Sequence, residues 1–214
     1  MTKYLIISLL LIILCSLFIT IKETKKFRKK NKELISFLLT VIATFLGVFL
    51  AIYYNDIAVE HQNEKTTIKI LKAAYEELDL IQVETEVRIE QINNVKKNIG
   101  QEVLKHKFPF PTILPKSIQN NLVLENMSGT SLRGLNHGWR NLIVFNNILS
   151  DPQSVMFRTD ESLRALTKLY NANLQFCKQL ILNECELIEN RIDLEEIEEK
   201  INNEYEVLNA VNKD

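Results

Sequence analysis

Metal, thiol and acid–base chemistry each need a set of side chains at a fixed spacing. The candidate donors here are His61, His106 and His137, the three cysteines Cys15, Cys177 and Cys185, and runs of glutamate. His61 and Glu64 stand one helical turn apart in His-Gln-Asn-Glu, close enough to share a metal ion, but a third ligand is missing from that stretch. A solvated helix face is the better reading, and no metal or cofactor is expected. Cys177 and Cys185 are separated by about 12 Å along a helix, too far for a disulfide. Glu76–Glu77 and Glu195–Glu196 are chain neighbours, so on a helix their carboxylates diverge and do not form an acid–base pair. The HExxH, CxxC, EF-hand, GxSxG, P-loop and GxGxxG patterns are absent. The sequence therefore supplies no catalytic residue. Asn126-Met127-Ser128 fits the glycosylation sequon, which matters only in a eukaryotic secretory setting.

Binding has better candidates than catalysis. Arg133, His137, Trp139 and Arg140 lie close together in a glycine-punctuated stretch, with Asn136 beside them and Phe108 and Phe110 upstream. Arg and Trp dominate interaction hot spots. Trp139 is also a natural core plug, because large aromatics are mostly buried, and that reading is the stronger one.

The elements that would carry these residues follow from hydropathy and charge. Tyr4–Ile21 and Leu34–Tyr54 are uncharged runs of 18 and 21 residues. At about 1.5 Å per residue they approach the roughly 30 Å hydrocarbon core of a bilayer, so two membrane-spanning helices are expected, with a cleaved signal peptide as the alternative for the first run. Between them, residues 22–33 hold seven Lys or Arg and two Glu. By the positive-inside rule that loop is expected in the cytoplasm and the C-terminal region outside the cell membrane, in a multi-pass topology, with the inverted topology as the alternative. Lys25, Lys26, Arg28, Lys29 and Lys30 are candidates to grip anionic headgroups. Ala43, Gly47 and Ala51 form a small-residue stripe on the second run, a candidate helix-packing face. Residues 34–214 carry 18 basic and 25 acidic side chains, which excludes a nucleic-acid surface.

Apart from Gly47, every Gly and Pro falls between Gly100 and Pro152. Two breaker-free arms, 55–105 and 160–212, therefore flank an irregular middle, 106–159. Leu71, Tyr75, Leu78, Thr85, Ile89, Ile92, Ile99 and Val103 follow helical 3/4 spacing in the first arm, interrupted by polar Gln82 and charged Lys96. In the second, Leu180, Leu187, Leu194, Ile201 and Leu208 recur every seven residues, as in a coiled-coil seam. Thr159 or Asp160 is the expected N-cap of that arm. In the middle, the prolines of FPFPTILP predict an extended turn, 117–127 a short helix capped by Ser117, and 139–150 another short helix. The fold class is all-α: a two-span anchor over 1–54, then an antiparallel helical hairpin over 55–214 with the middle as its tip.

The stretch FLGVFLAIYYNDIAVEHQNEKTTIKILKAAYEELDL resembles uncharacterised bacterial membrane-anchored helical proteins, in which a span of this kind runs on into a charged helix. Tyr53 and Tyr54 stand where Trp is frequent in that group. The resemblance covers about 36 residues and implies no activity. The expected partners are the lipid bilayer and a protein, either another chain or a second copy in a homo-oligomer. The expected role is a membrane-anchored interaction or scaffold protein, with a sensor or accessory subunit of a membrane complex as the alternative.

Overall fold

The computed structural model describes residues 30–156 and 158–211, together with Ile6, Leu10, Ile12 and Ile13. The remainder of the first predicted span lies outside the described residues, as do Lys25, Lys26, Arg28 and Lys29. The described residues are helical, with no strand among them. In chain order the helices are α1 (Lys32–Asn94), α2 (Ile99–Lys105), α3 (Ile113–Ile118), α4 (Asn121–Asn126), α5 (Gly129–Ser150), α6 (Pro152–Met156), α7 (Asp160–Ile188) and α8 (Leu194–Val211). The chain divides into two compact units, residues 1–62 and 63–214, and α1 contributes to both.

In the first unit, α1 is the one helix among the described residues long and apolar enough to cross a membrane. Leu34, Phe37, Leu38, Phe45, Val48, Leu50, Ile52 and Tyr54 are all exposed. The hydroxyls of Thr40 and Thr44 donate to the carbonyls of Ser36 and Thr40, each at 2.9 Å. Both hydroxyls are thus paired with the helix's own backbone.

The second unit is a helical bundle centred on α7. Its side-chain pairs fix three antiparallel registers. The 63–94 part of α1 meets α7 through Lys72–Glu189, Asp79–Lys178 and Glu86–Asn171, and Arg164 donates to Asn93 Oδ1. Ser128 meets Glu184 and Asn141 meets Asn173, which lays α5 along the same helix. Lys200–Glu186 and the Tyr205–Phe176 ring contact do the same for α8. A helix with partners on three sides must be apolar round most of its circumference. Accordingly α7 buries Leu163, Leu166, Tyr170, Leu174, Phe176, Cys177, Leu180 and Ile181. Each such side chain contributes ~1.5–3 kcal/mol on leaving water. Thr159 caps this helix as expected, its Oγ1 accepting from the Ser162 amide.

Several boundaries differ from the sequence expectations. The first arm stops at Asn94 and restarts at Ile99, with Asn98 at φ 62° between them. The second breaks after Ile188, with Asn190 at φ 56°. Asparagine tolerates this left-handed region better than most residues. The seven-residue repeat is therefore split between two helices, and Leu194 is exposed rather than in a seam. Pro115 does not forbid helix: it lies in the first turn of α3, where its missing N–H has no intrahelical partner to lose. The cap at 117–127 is Asn120, not Ser117, its side chain accepting from the Leu122 amide. The middle segment is not a distal tip either. α5 begins ten residues earlier than expected, at Gly129, and packs along α7.

Candidate functional site

Two glutamates hold the middle segment in place. The Glu77 carboxylate accepts from the Thr112 amide and hydroxyl and from the Ile113 and Leu114 amides, at 2.7–3.2 Å. It occupies the N-terminus of α3, where unpaired amides favour a negative charge. Glu184, fully buried on α7, accepts from the Ser128 amide at 2.7 Å and its hydroxyl at 2.8 Å. Ser128 Oγ in turn accepts from the Ser131 amide and caps α5. The distances from Glu77 to Thr112 and from Glu184 to Ser128, 35 and 56 positions along the chain, explain why sequence reading missed both.

The glycines of α5 work by close approach rather than by turning. A Cβ at Gly134 would stand 2.7 Å from Leu180 Cδ1, and one at Gly138 would stand 2.5 Å from Cys177 Sγ and 3.2 Å from Phe176 Cδ1. Gly134-x-x-x-Gly138 is the small-residue spacing that lets two helix backbones meet closely. That spacing was legible in the sequence as a packing signal; reading both glycines as loop punctuation was incorrect.

This packing separates the candidate interaction residues. Arg133, His137 and Arg140 are exposed on α5, with Asn136 among them. Arg133 Nε donates to the Gly129 carbonyl, and His137 lies 3.2 Å from Asn141 Nδ2 with its ring 6.0 Å from Tyr205. Trp139 is half-buried, stacked on Phe110 at 4.9 Å. The four residues therefore do not form one loop cluster: three share an outer face, and Trp139 belongs to the packing.

On the apolar part of α1, the half-buried positions Ile35, Leu39, Ile42, Leu46, Phe49 and Tyr53 follow 3/4 spacing. Ala43, Gly47 and Ala51 are exposed, about 120° round the helix from that face. A Cβ at Gly47 would meet nothing within 4 Å. Lys30, the one described headgroup candidate, is exposed.

The thiols are poorly suited to chemistry. Burial pushes Cys177 up to about 12 and Cys185 up to about 11 from the usual 9.0, so both are held protonated. Burial likewise raises the Tyr170 phenol, whose hydroxyl donates to the Pro109 carbonyl at 2.6 Å. Among the described residues no three His, Cys, Asp or Glu gather to hold a metal. An open groove of about 490 Å³ lies between α1 and α7, lined by carboxamides and carboxylates including Glu86, Glu90, Asn93, Asn171 and Gln175. Small-molecule sites are mostly enclosed, and this groove is open to solvent. No protein-family model, curated protein or solved structure matches the chain, so the functional reading rests on its own residues.

Proposed function

We propose that the protein is a membrane-anchored helical interaction or scaffold protein, in which residues 34–54 span the bilayer and the 63–208 bundle offers its surface to a partner. The supporting observation is the contrast within α1. Its apolar part exposes Phe37, Phe45, Val48 and Ile52, whereas its later part buries Leu71, Ala74, Leu78 and Ile81. Apolar side chains left in water cost about 25 cal/mol per Å², and a bilayer removes that cost along the whole run. The basic stretch before Leu34 supports a cytoplasmic N-terminal end for this span.

A second reading, an accessory subunit bound through the membrane, is favoured by the open space over Gly47 and the exposure of Ala43 and Ala51. Crosslinking in native membranes tests both. Ala43→Leu with Gly47→Leu abolishes the crosslinked species if the span is the contact. Arg133→Ala with Arg140→Ala abolishes it if the α5 face is. A protein released from membranes by alkaline carbonate would contradict the anchor.

A further inference from the structure

We propose that the outer face of α1 between Glu76 and Glu90 docks a short, basic, amphipathic helix of a partner protein. This rests on the interaction-protein reading and names the kind of partner.

Leu80, Val83 and Val87 are 73%, 57% and 51% exposed. They are spaced three and four apart, so they form one stripe. The stripe lies opposite the row Leu71, Ala74, Leu78, Ile81 and Thr85 that α1 buries in the bundle. It is thus surplus to the fold: a helix needs one apolar face for its own core, and this one has two. Anchors at this spacing receive a partner helix through facing apolar residues at matching intervals.

Charge selects among the occupants. Residues 76–90 hold six carboxylates and one arginine. Glu77 is turned to α3, Asp79 pairs with Lys178 and Glu84 with Arg88. Glu76 and Glu90 are exposed at the two ends of the stripe and pair with no cation among the described residues. A helix with Lys or Arg beside its apolar anchors meets complementary charge at both ends. A second copy would set Glu76 and Glu90 against carboxylates. The three side chains also present on the order of 300 Å², well below the roughly 800 Å² per partner of a stable interface. An anionic lipid surface is repelled by the same carboxylates. A single partner helix, bound transiently, is what remains.

The test uses the full chain in phosphatidylcholine nanodiscs. The probe is a fluorescein-labelled helical peptide of about 14 residues, four turns, with three Leu at matching spacing flanked by Lys. Its twin has Glu in place of Lys. The expected result is saturable binding of the Lys peptide beyond that of empty discs. Affinity falls about tenfold in Leu80→Ser/Val87→Ser and in Glu76→Lys/Glu90→Lys, and the latter variant gains the Glu peptide. Equal affinity for wild type and both variants, or no binding at all, overturns the proposal. So does an intermolecular disulfide formed by Val83→Cys in membranes, which assigns the face to a second copy. All the positions are exposed, and circular dichroism of each variant checks that the helices persist. Carbonate extraction of the same material reads the anchor separately, so its failure is distinguishable from failure of the docking face.

Discussion

Replacing Gly138 by alanine tests the close approach of α5 to α7. The added methyl would stand 2.5 Å from Cys177 Sγ and 3.2 Å from Phe176 Cδ1. Both neighbours are buried in the core and have little room to move. Relieving such overlap by separating the helices costs ~1–3 kcal/mol. Alanine recovers about 1 kcal/mol of that through its higher helix propensity. Gly138→Ala is therefore expected to destabilise by about 0–2 kcal/mol, whereas Gly129→Ala, with open space over its Cβ, is neutral or slightly stabilising. The sharper reading comes from a double-mutant cycle. Cys177→Ala removes the sulfur and leaves room for the new methyl, so the pair should be more stable than the two single effects predict, by about 1 kcal/mol. Denaturant unfolding of the full chain in detergent, followed by circular dichroism, measures all four corners. A cycle additive within about 0.3 kcal/mol would refute the reasoning.

Glu184→Ala leaves the half-buried Ser128 amide and hydroxyl without their acceptor, and is expected to cost about 1–3 kcal/mol in the same unfolding assay. Glu77→Ala, at a half-buried site that water reaches, should cost less, about 1 kcal/mol. Alkaline pH should weaken the fold. The Cys177 thiol is raised from 9.0 to about 12 by burial, so its contribution is complete below the unfolded value and is lost as pH rises through this window. Cys177→Ala should flatten that part of the pH profile, and an unchanged slope would contradict the assignment. Asp151 is held below its ordinary value of 3.8, chiefly by the Ser154 hydroxyl and then by the Ser154 amide. Its cap on α6 is therefore present above that value and lost as pH falls through the lowered one, which an NMR titration of the Ser154 amide reads directly.

The helix class was legible because spacing and breakers are local. Leu71, Leu78 and Leu180 fall on the buried faces that their spacing implies. The chain reversals were only half legible. Gly and Pro are the strong punctuation signals, yet the two long-arm breaks fall at Asn98 and Asn190, and asparagine is a far weaker signal from sequence alone. The same bias misplaced α5, whose glycines allow tight packing on α7 and do not break the helix. Candidate binding residues were harder still. Arg133, His137, Trp139 and Arg140 are sequence neighbours, but helical geometry turns Trp139 onto Phe110 and leaves the others outside. The exposed Leu80–Val83–Val87 stripe is not singled out by the sequence, because only the packed bundle shows which of two apolar faces is spent.

Cysteine accessibility in intact cells tests the membrane reading most directly. With Lys30→Cys, Phe45→Cys and Ala58→Cys made singly and probed with an impermeant maleimide, Ala58→Cys should label from outside, Lys30→Cys only after the cytoplasm is opened, and Phe45→Cys from neither side. Labelling of Phe45→Cys by the impermeant reagent, or of Lys30→Cys and Ala58→Cys from the same face, would contradict a span between them.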